Sequence, residues 1–221
     1  MNDATTLGRI DEETRSLVQI AAAIAGADEI TTRDVMERAS PSVDNSKVEE
    51  VILQSYLFAG FPRTLNAARI WRSISSTPAP GDDSEAKHTN SAQWEERGQE
   101  TCRTVYGESY EMLRQNIRAL HPALDTWMIT DGYGKVLSRP GLDLKTRELC
   151  IVAACAATAQ QRQLHSHLHG ALNAGASVGE VESALAALSG LVPDGDLEKY
   201  FSLLAHVTSR RHPPRGKADV H

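Results

Sequence analysis

The stretch GLDLKTRELCIVAACAATAQQRQLHSHLHGALNAGASVGEVESALAAL, residues 141–188, decides the fold of this chain. Its apolar residues recur at helical spacing, and Gly175 supplies a stop after the second helix. We expect three helices, the second over residues 161–173. The third opens at Ser177, which with Glu180 matches the Ser-x-x-Glu capping box.

A worn copy of this unit lies near the N-terminus. The apolar face of its first helix recurs 132 residues later, where Leu17, Ile20, Ala21 and Ile24 correspond to Leu149, Val152, Ala153 and Ala156. The polar start of the helix recurs as well, where Asp11, Thr14 and Arg15 correspond to Asp143, Thr146 and Arg147. Two helices with the same start and the same buried face indicate one helical unit used twice.

No segment shows the alternating pattern of a β-strand, so we predict an all-α protein in which the duplicated unit packs as one globular body. Prolines, glycine and serines separate the copies and suggest a flexible linker. The expected organisation is a degenerate N-terminal unit (1–72), the linker (73–93), a C-terminal unit that carries the active site (94–209) and a disordered tail (210–221).

Composition excludes several classes of protein. The net charge of -6 is mixed in sign and forms no basic stripe, so we expect no nucleic-acid partner. No apolar run approaches a membrane span and no signal peptide is recognisable, so we expect a soluble, cytoplasmic protein without a membrane partner. The three cysteines do not suggest a disulfide framework, and we interpret Cys150 and Cys155 as small core residues.

Two residues that could take part in catalysis occur in the second copy and are replaced in the first. Glu148, in the first turn of its helix, could simply complement the helix dipole, but the first copy has Ser16 there and folds without a carboxylate. His167 corresponds to Val35 and is either a core residue or a proton carrier beside a pocket. Glu148 and His167 are therefore the candidate catalytic residues.

A second set of histidines lies on the same helix. His165 and His169 are four residues apart and share a face, whereas His167 points about 200° away from His165. Such a pair can bind a metal, but no acidic ligand is adjacent in sequence. We expect the pair to face solvent and expect no metal site.

Several motifs resemble those of the carboxymuconolactone decarboxylase family, which includes the alkyl hydroperoxidase D proteins. The motif R-E-L at 147–149 precedes an Ala-rich helix, and S-H-x-x-x-A-L-x-x-G-A follows at 166–176. Residues 132–143 resemble the approach segment of the decarboxylase branch, and residues 56–67 resemble the pattern that closes the unit. Together these motifs cover most of the chain outside the linker and tail.

The hydroperoxidase branch uses a glutamate, a C-x-x-C pair and a histidine. Counted from Glu148, its cysteine positions are Gln160 and Gln163 here, whereas its histidine position is His167. Glutamine forms neither a thiolate nor a disulfide, so a thiol peroxidase would lack its nucleophile.

The resemblance implies a cofactor-independent lyase or isomerase that decarboxylates a small carboxylated lactone or enolisable acid. It assigns proton transfer to Glu148 and His167, and carboxylate binding to Arg139 or Arg147, although Arg15 repeats Arg147. The further candidates around the substrate are His165, for which exposure to solvent is the alternative, and four aromatic residues for which core packing is the alternative: Tyr133, Trp127, Tyr56 and Phe61. It also implies a homo-oligomer, either a trimer or a dimer, and the competing hypothesis is a non-catalytic binding or assembly protein on the same fold.

Overall fold

The computed structural model describes residues 8–211. In chain order its helices are α1 (Glu12–Gly26), α2 (Glu29–Ala39), α3 (Asn45–Ser75), α4 (Ser91–Tyr106), α5 (Tyr110–Leu120), α6 (Pro122–Trp127), a π-helix (Met128–Leu137), α7 (Leu144–Ala157), α8 (Gln161–Asn173), α9 (Val178–Ala186) and α10 (Asp194–Arg211). Within residues 8–211 there is no β-strand, and a lone bridge joins Ser189 to Val192. The all-α prediction is confirmed.

The two copies begin in the same way. Asp11 caps α1 by accepting a hydrogen bond from the backbone N–H of Thr14, and Asp143 caps α7 through Thr146. The capping box of Ser177 and Glu180 is present at the start of α9. These caps place each helix start where the sequence predicts it.

Helices α1 and α7 of the two copies lie side by side and run in the same direction. At their C-terminal ends, a Cβ added to Gly26 would lie 2.6 Å from the carbonyl oxygen of Ala157. At their N-terminal ends, the positive charge of Lys145 acts on the carboxylate of Asp11. The apolar faces of both helices enter one core, so the duplicated unit forms a single globular body.

The N-terminal unit reaches the C-terminal unit through the long helix α3. Gly60 interrupts it with φ 77° and ψ 164°, and Pro62 follows in the first turn of the continuing helix. The preceding segment of α3 packs against α7, whereas Phe61 beyond the kink is 62% exposed. The kink thus separates a buried half of α3 from a more exposed one.

The segment that leads toward α7 contains an irregular helix. Residues 128–137 form a π-helix that packs on α4 through two glycines. A side chain at Gly98 would overlap the carbonyl of Ile129, and one at Gly134 would overlap the carbonyl of Trp94. This close backbone contact explains why both positions are glycine.

The segment between α3 and α4 contains two 3-10 turns, Ser84–Ala86 and His88–Asn90. Asp83, which precedes the first turn, forms an ion pair with Arg139 of the C-terminal unit at 2.9 Å. At the other end of the chain, α10 continues to Arg211, and residues 212–221 of the predicted tail lie outside the described residues. No helix in the described part of the chain is long and apolar enough to cross a membrane.

Candidate active site

The structure brings Glu148 of α7 and His167 of α8 into direct contact. Nδ1 of His167 lies 2.8 Å from Oε2 of Glu148. His167 is 6% exposed and Glu148 is 0% exposed. The sequence suggested that Glu148 lies in the first turn of its helix. Because α7 begins at Leu144, Glu148 lies instead in the second turn. Complementing the helix dipole is therefore a poor explanation for this carboxylate, since the dipole acts mainly within the first turn.

The pair has the geometry of an oriented acid–base group. When Nδ1 carries the proton, it donates to the Glu148 carboxylate and leaves Nε2 as a hydrogen-bond acceptor. A carboxylate in this position orients the imidazole and stabilises the imidazolium that forms when Nε2 takes up a proton.

The second carboxylate oxygen of Glu148 is the unusual feature of the site. Oε1 is buried and has no hydrogen-bond partner among the described residues. A buried polar atom without a partner costs about 1–3 kcal/mol, so native proteins rarely retain one without a functional reason. Oε1 therefore marks the place where a ligand or a transferred proton could be accommodated.

Neighbouring residues enclose the pair closely. Gly170 of α8 leaves room for the carboxylate, because a Cβ there would lie 3.2 Å from Cδ of Glu148 and 2.8 Å from Cγ1 of Val105. The ring of Phe58 in α3 stands at 85° to the imidazole of His167, with the ring centroids 5.8 Å apart. The site is thus narrow and largely apolar.

Two tyrosines lie near the carboxylate. Tyr133 is buried and packs edge-on against Tyr106, with the ring centroids 6.2 Å apart. Burial, with a further contribution from the negative charge of Glu148, raises the pKa of Tyr106 to about 12. Burial likewise raises the pKa of Tyr133. Both phenols therefore stay protonated at neutral pH.

The N-terminal copy has no equivalent pair. Ser16, at the position of Glu148, is buried with its hydroxyl 3.2 Å from that of Ser42. Val35, at the position of His167, is part of the apolar core. The comparison between copies therefore singled out two residues that meet in space.

The arginines expected to bind a substrate carboxylate instead surround Glu50 of α3. Nε and Nη2 of Arg139 donate to the Glu50 carboxylate at 2.9–3.0 Å, and its Nη2 also donates to Asp83. Nη2 of Arg147 donates to Glu50 at 2.7 Å. No hydrogen bond or ion pair joins either guanidinium to Glu148 or His167 within residues 8–211.

Arg147 is fully buried and uses all its nitrogens within the protein. Besides Glu50, it donates to the side chain of Gln54 and to the backbone carbonyls of Leu142 and Arg139. Burial lowers the pKa of Arg147, and the ion pair with Glu50 acts in the opposite direction. In the structure both arginines bind Glu50 and so hold the start of α7 against α3; binding of a substrate carboxylate by Arg139 or Arg147 stays a prediction.

His165 and His169 share the outer face of α8, as predicted, with their ring centroids 5.0 Å apart. They line a groove of about 530 Å³ between α5 and α8, which also includes Tyr106, Met112, Asn116 and Asn173. No group of three His, Cys, Asp or Glu side chains among residues 8–211 could hold a metal ion. His165 thus lies beside a groove and not beside the Glu148–His167 pair.

The other residues expected to line a pocket lie away from Glu148 and His167. Trp127 is 59% exposed at the end of α6. Tyr56 contacts Phe61, with ring centroids 5.3 Å apart, near the kink of α3. The aromatic ring that does contact His167 belongs to Phe58, which sequence reasoning missed, although it lies three residues before Phe61.

The cysteines are buried, free thiols. Burial raises the pKa of Cys102, Cys150 and Cys155 to about 12 in each case. A thiol with so high a pKa forms almost no thiolate at neutral pH. This agrees with the interpretation of Cys150 and Cys155 as core residues.

Comparison with known proteins places this site in a family context. The sequence model described as the carboxymuconolactone decarboxylase family matches residues 123–192, which include both Glu148 and His167. The chain is also similar to Peroxisomal protein 2 of Schizosaccharomyces pombe. The two are 30% identical over 154 residues, which cover 69% of this chain and 71% of the relative.

Proposed function

The chain belongs to the carboxymuconolactone decarboxylase family, and we propose that it is a cofactor-independent carboxy-lyase, or a related isomerase, acting on a small carboxylated lactone or enolisable acid. The observation that carries this proposal is the buried hydrogen bond between Glu148 and His167. Family membership alone does not define the chemistry, since one fold hosts several reactions.

In the proposed reaction, the C–C bond to the substrate carboxylate breaks and CO₂ leaves. The bonding electron pair passes into the adjacent lactone carbonyl, which becomes an enolate. Protonated Nε2 of His167 then delivers a proton to carbon, and the carbonyl re-forms as the electron pair returns. Glu148 stabilises the imidazolium before this step and keeps Nδ1 protonated throughout.

The surroundings of the pair suit such chemistry. An enclosed, apolar site strengthens the interaction between Glu148 and a charged imidazole, because the local dielectric is low. Arg139 and Arg147 contribute by fixing the start of α7, and hence the position of Glu148, through Glu50.

A panel of carboxylated lactones tests the proposal. Each compound is incubated with the protein in D₂O, and CO₂ release and the incorporation of deuterium at carbon are followed by NMR. We expect one class of lactone to lose CO₂ and to gain one solvent deuterium at the protonated carbon. Release without dependence on His167, tested with His167→Ala, would contradict the proposed role of the pair.

A non-catalytic binding or assembly protein is the second candidate. The enclosure of the pair favours it, because His167, whose Nε2 would meet the substrate, is only 6% exposed. The discriminating measurement is saturation transfer from the protein to lactones that are not turned over. Binding that survives His167→Ala, with no turnover by the wild type, would favour this second candidate.

We also propose a homo-oligomer, a dimer or a trimer, in the cytoplasm. Large apolar side chains are exposed on α5 and α6, and such a surface commonly marks a protein contact. They are Met112, Leu120, Leu124 and Trp127. Light scattering coupled to size exclusion measures the assembly, and fractionation of cells distinguishes the cytoplasm from the peroxisome, the compartment in the name of the yeast relative.

A further inference from the structure

One face of α3 connects the N-terminal unit to the proposed active site. Glu50, Gln54 and Phe58 are spaced four residues apart and therefore lie on one side of the helix. Glu50 binds the guanidinium of Arg147 at 2.7 Å. One turn later, the side chain of Gln54 donates to the backbone carbonyl of Arg147, the residue before Glu148. One further turn along, Phe58 contacts the ring of His167.

The hydrogen bond to Glu148 does not by itself fix the imidazole of His167. It restrains Nδ1, but the ring can still tilt through small changes in χ1 and χ2, since χ2 of histidine has broad minima. A second contact from another direction is needed to define the plane of the ring. Phe58 supplies this contact, because its ring lies at 85° to the imidazole and approaches from a different helix.

The backbone around Phe58 holds its ring in place. Phe58 lies in the last regular turn before the interruption at Gly60, where Thr64 of the continuing helix donates to the Gly60 carbonyl. The side chain of Phe58 is half-buried and packs against the core. The N-terminal unit therefore presents a fixed aromatic ring to a histidine of the C-terminal unit.

We propose that Phe58 is a positioning residue for His167, so that the N-terminal unit completes the active site although it lacks the catalytic pair. The ring of Phe58 fixes the plane of the imidazole with Nδ1 directed at Glu148, and it keeps water from this hydrogen bond. The inference concerns the site of the proposed function. Its test does not require turnover.

The test measures how fast the Nδ1 proton of His167 exchanges with water, by NMR of protein labelled with ¹⁵N at histidine. The signal is assigned by its absence in His167→Ala. In Phe58→Ala we expect exchange at least about tenfold faster than in the wild type, because the buried hydrogen bond opens to solvent. In Phe58→Tyr, which keeps the ring, the rate should stay within about twofold.

Phe61→Ala is the matched control. Phe61 is three residues away in the same helix, is 62% exposed and contacts Tyr56 instead of His167, so its removal should leave the exchange rate unchanged. If Phe58→Ala does not fold, Phe58→Leu replaces it, since leucine fills much of the space without a ring plane and should also accelerate exchange. Wild-type exchange in the folded variant, Phe58→Ala or Phe58→Leu, would overturn the inference.

The two proposals fail separately. Accelerated exchange in Phe58→Ala, together with no turnover of any lactone, would support the positioning role and count against the proposed reaction. Turnover that depends on His167, together with unchanged exchange in Phe58→Ala, would support the proposed reaction and count against the positioning role of Phe58.

Discussion

Gly170 of α8 lies directly against the carboxylate of Glu148 in α7. A Cβ at this position would lie 3.2 Å from Cδ of Glu148 and closer still to Oε2, the oxygen that contacts His167. It would also lie 2.8 Å from a methyl group of Val105. The absence of a side chain at Gly170 is therefore a condition for the Glu148–His167 contact.

Gly170→Ala should displace the Glu148 carboxylate and destabilise the protein by about 1–3 kcal/mol, the usual cost of overpacking a core. The free energy of unfolding in urea measures this effect. Gly195→Ala is the control, because Gly195 lies in α10 with no atom within 4 Å of an added Cβ. That change should be neutral or slightly stabilising, and equal effects of the two substitutions would contradict the packing argument.

Glu148 and His167 should be energetically coupled. His167→Ala leaves a buried carboxylate without its partner and should cost about 3–5 kcal/mol. In a Glu148→Gln background the same substitution should cost less, by about 1–3 kcal/mol, because no buried charge is left behind. Urea unfolding of the wild type, both single variants and the double variant measures this coupling. Additive effects would show that the two side chains do not interact.

Glu50 should be a major contributor to stability, because two guanidinium groups depend on it. Glu50→Ala leaves the fully buried Arg147 without its carboxylate and should destabilise the protein by about 3–5 kcal/mol. Lys87→Ala removes an exposed ion pair with Asp82 and serves as the control, with little expected change. Similar melting temperatures for the two variants would contradict the structural role assigned to Glu50.

Asp125 should make stability depend on pH in the acid range. Arg114, followed by Arg118, holds the pKa of Asp125 below its usual value, against the effect of burial. The stabilisation is therefore fully present above the unfolded pKa of about 3.9 and is lost as the pH falls below it toward the folded pKa. Asp125→Asn should be less stable at pH 7 and should show a weaker loss of stability on acidification. Parallel stability curves for variant and wild type would contradict this assignment.

The thiols should be unreactive in the folded protein. Since burial raises the pKa of all three cysteines to about 12, a disulfide reagent at pH 8 should label them only after unfolding. For the same reason, Cys150→Ser should not alter peroxide consumption. Rapid labelling of the native protein would reopen the thiol-peroxidase interpretation.

Comparison of the two copies was enough to identify the central pair from sequence. Ser16 and Val35 show that the unit folds without a carboxylate or an imidazole at these positions, and the structure places Glu148 and His167 in contact. Helix α8 also has its predicted bounds, because its apolar spacing and the stop at Gly175 are local signals. Local patterns and the internal repeat were therefore enough to predict most of the fold.

The remaining features depend on contacts between distant parts of the chain. Glu50 binds Arg139 and Arg147 across 89 and 97 residues, so nothing near the arginines in sequence reveals their partner. The π-helix reflects the close packing of Gly134 on α4, and helical periodicity does not predict it. Phe58 was missed for the same reason, since its contact with His167 arises only when the two copies pack.

The rate of CO₂ release from a carboxylated lactone by the wild type, Glu148→Gln and His167→Ala tests the central claim most directly. We expect both variants to fall by about 10²–10⁴-fold, the usual contribution of a general acid or base, while circular dichroism shows them folded. Ser16→Ala, at the position of Glu148 in the other copy, should keep wild-type turnover. Turnover within twofold of the wild type in either folded variant would contradict the claim that Glu148 and His167 act as the acid–base pair.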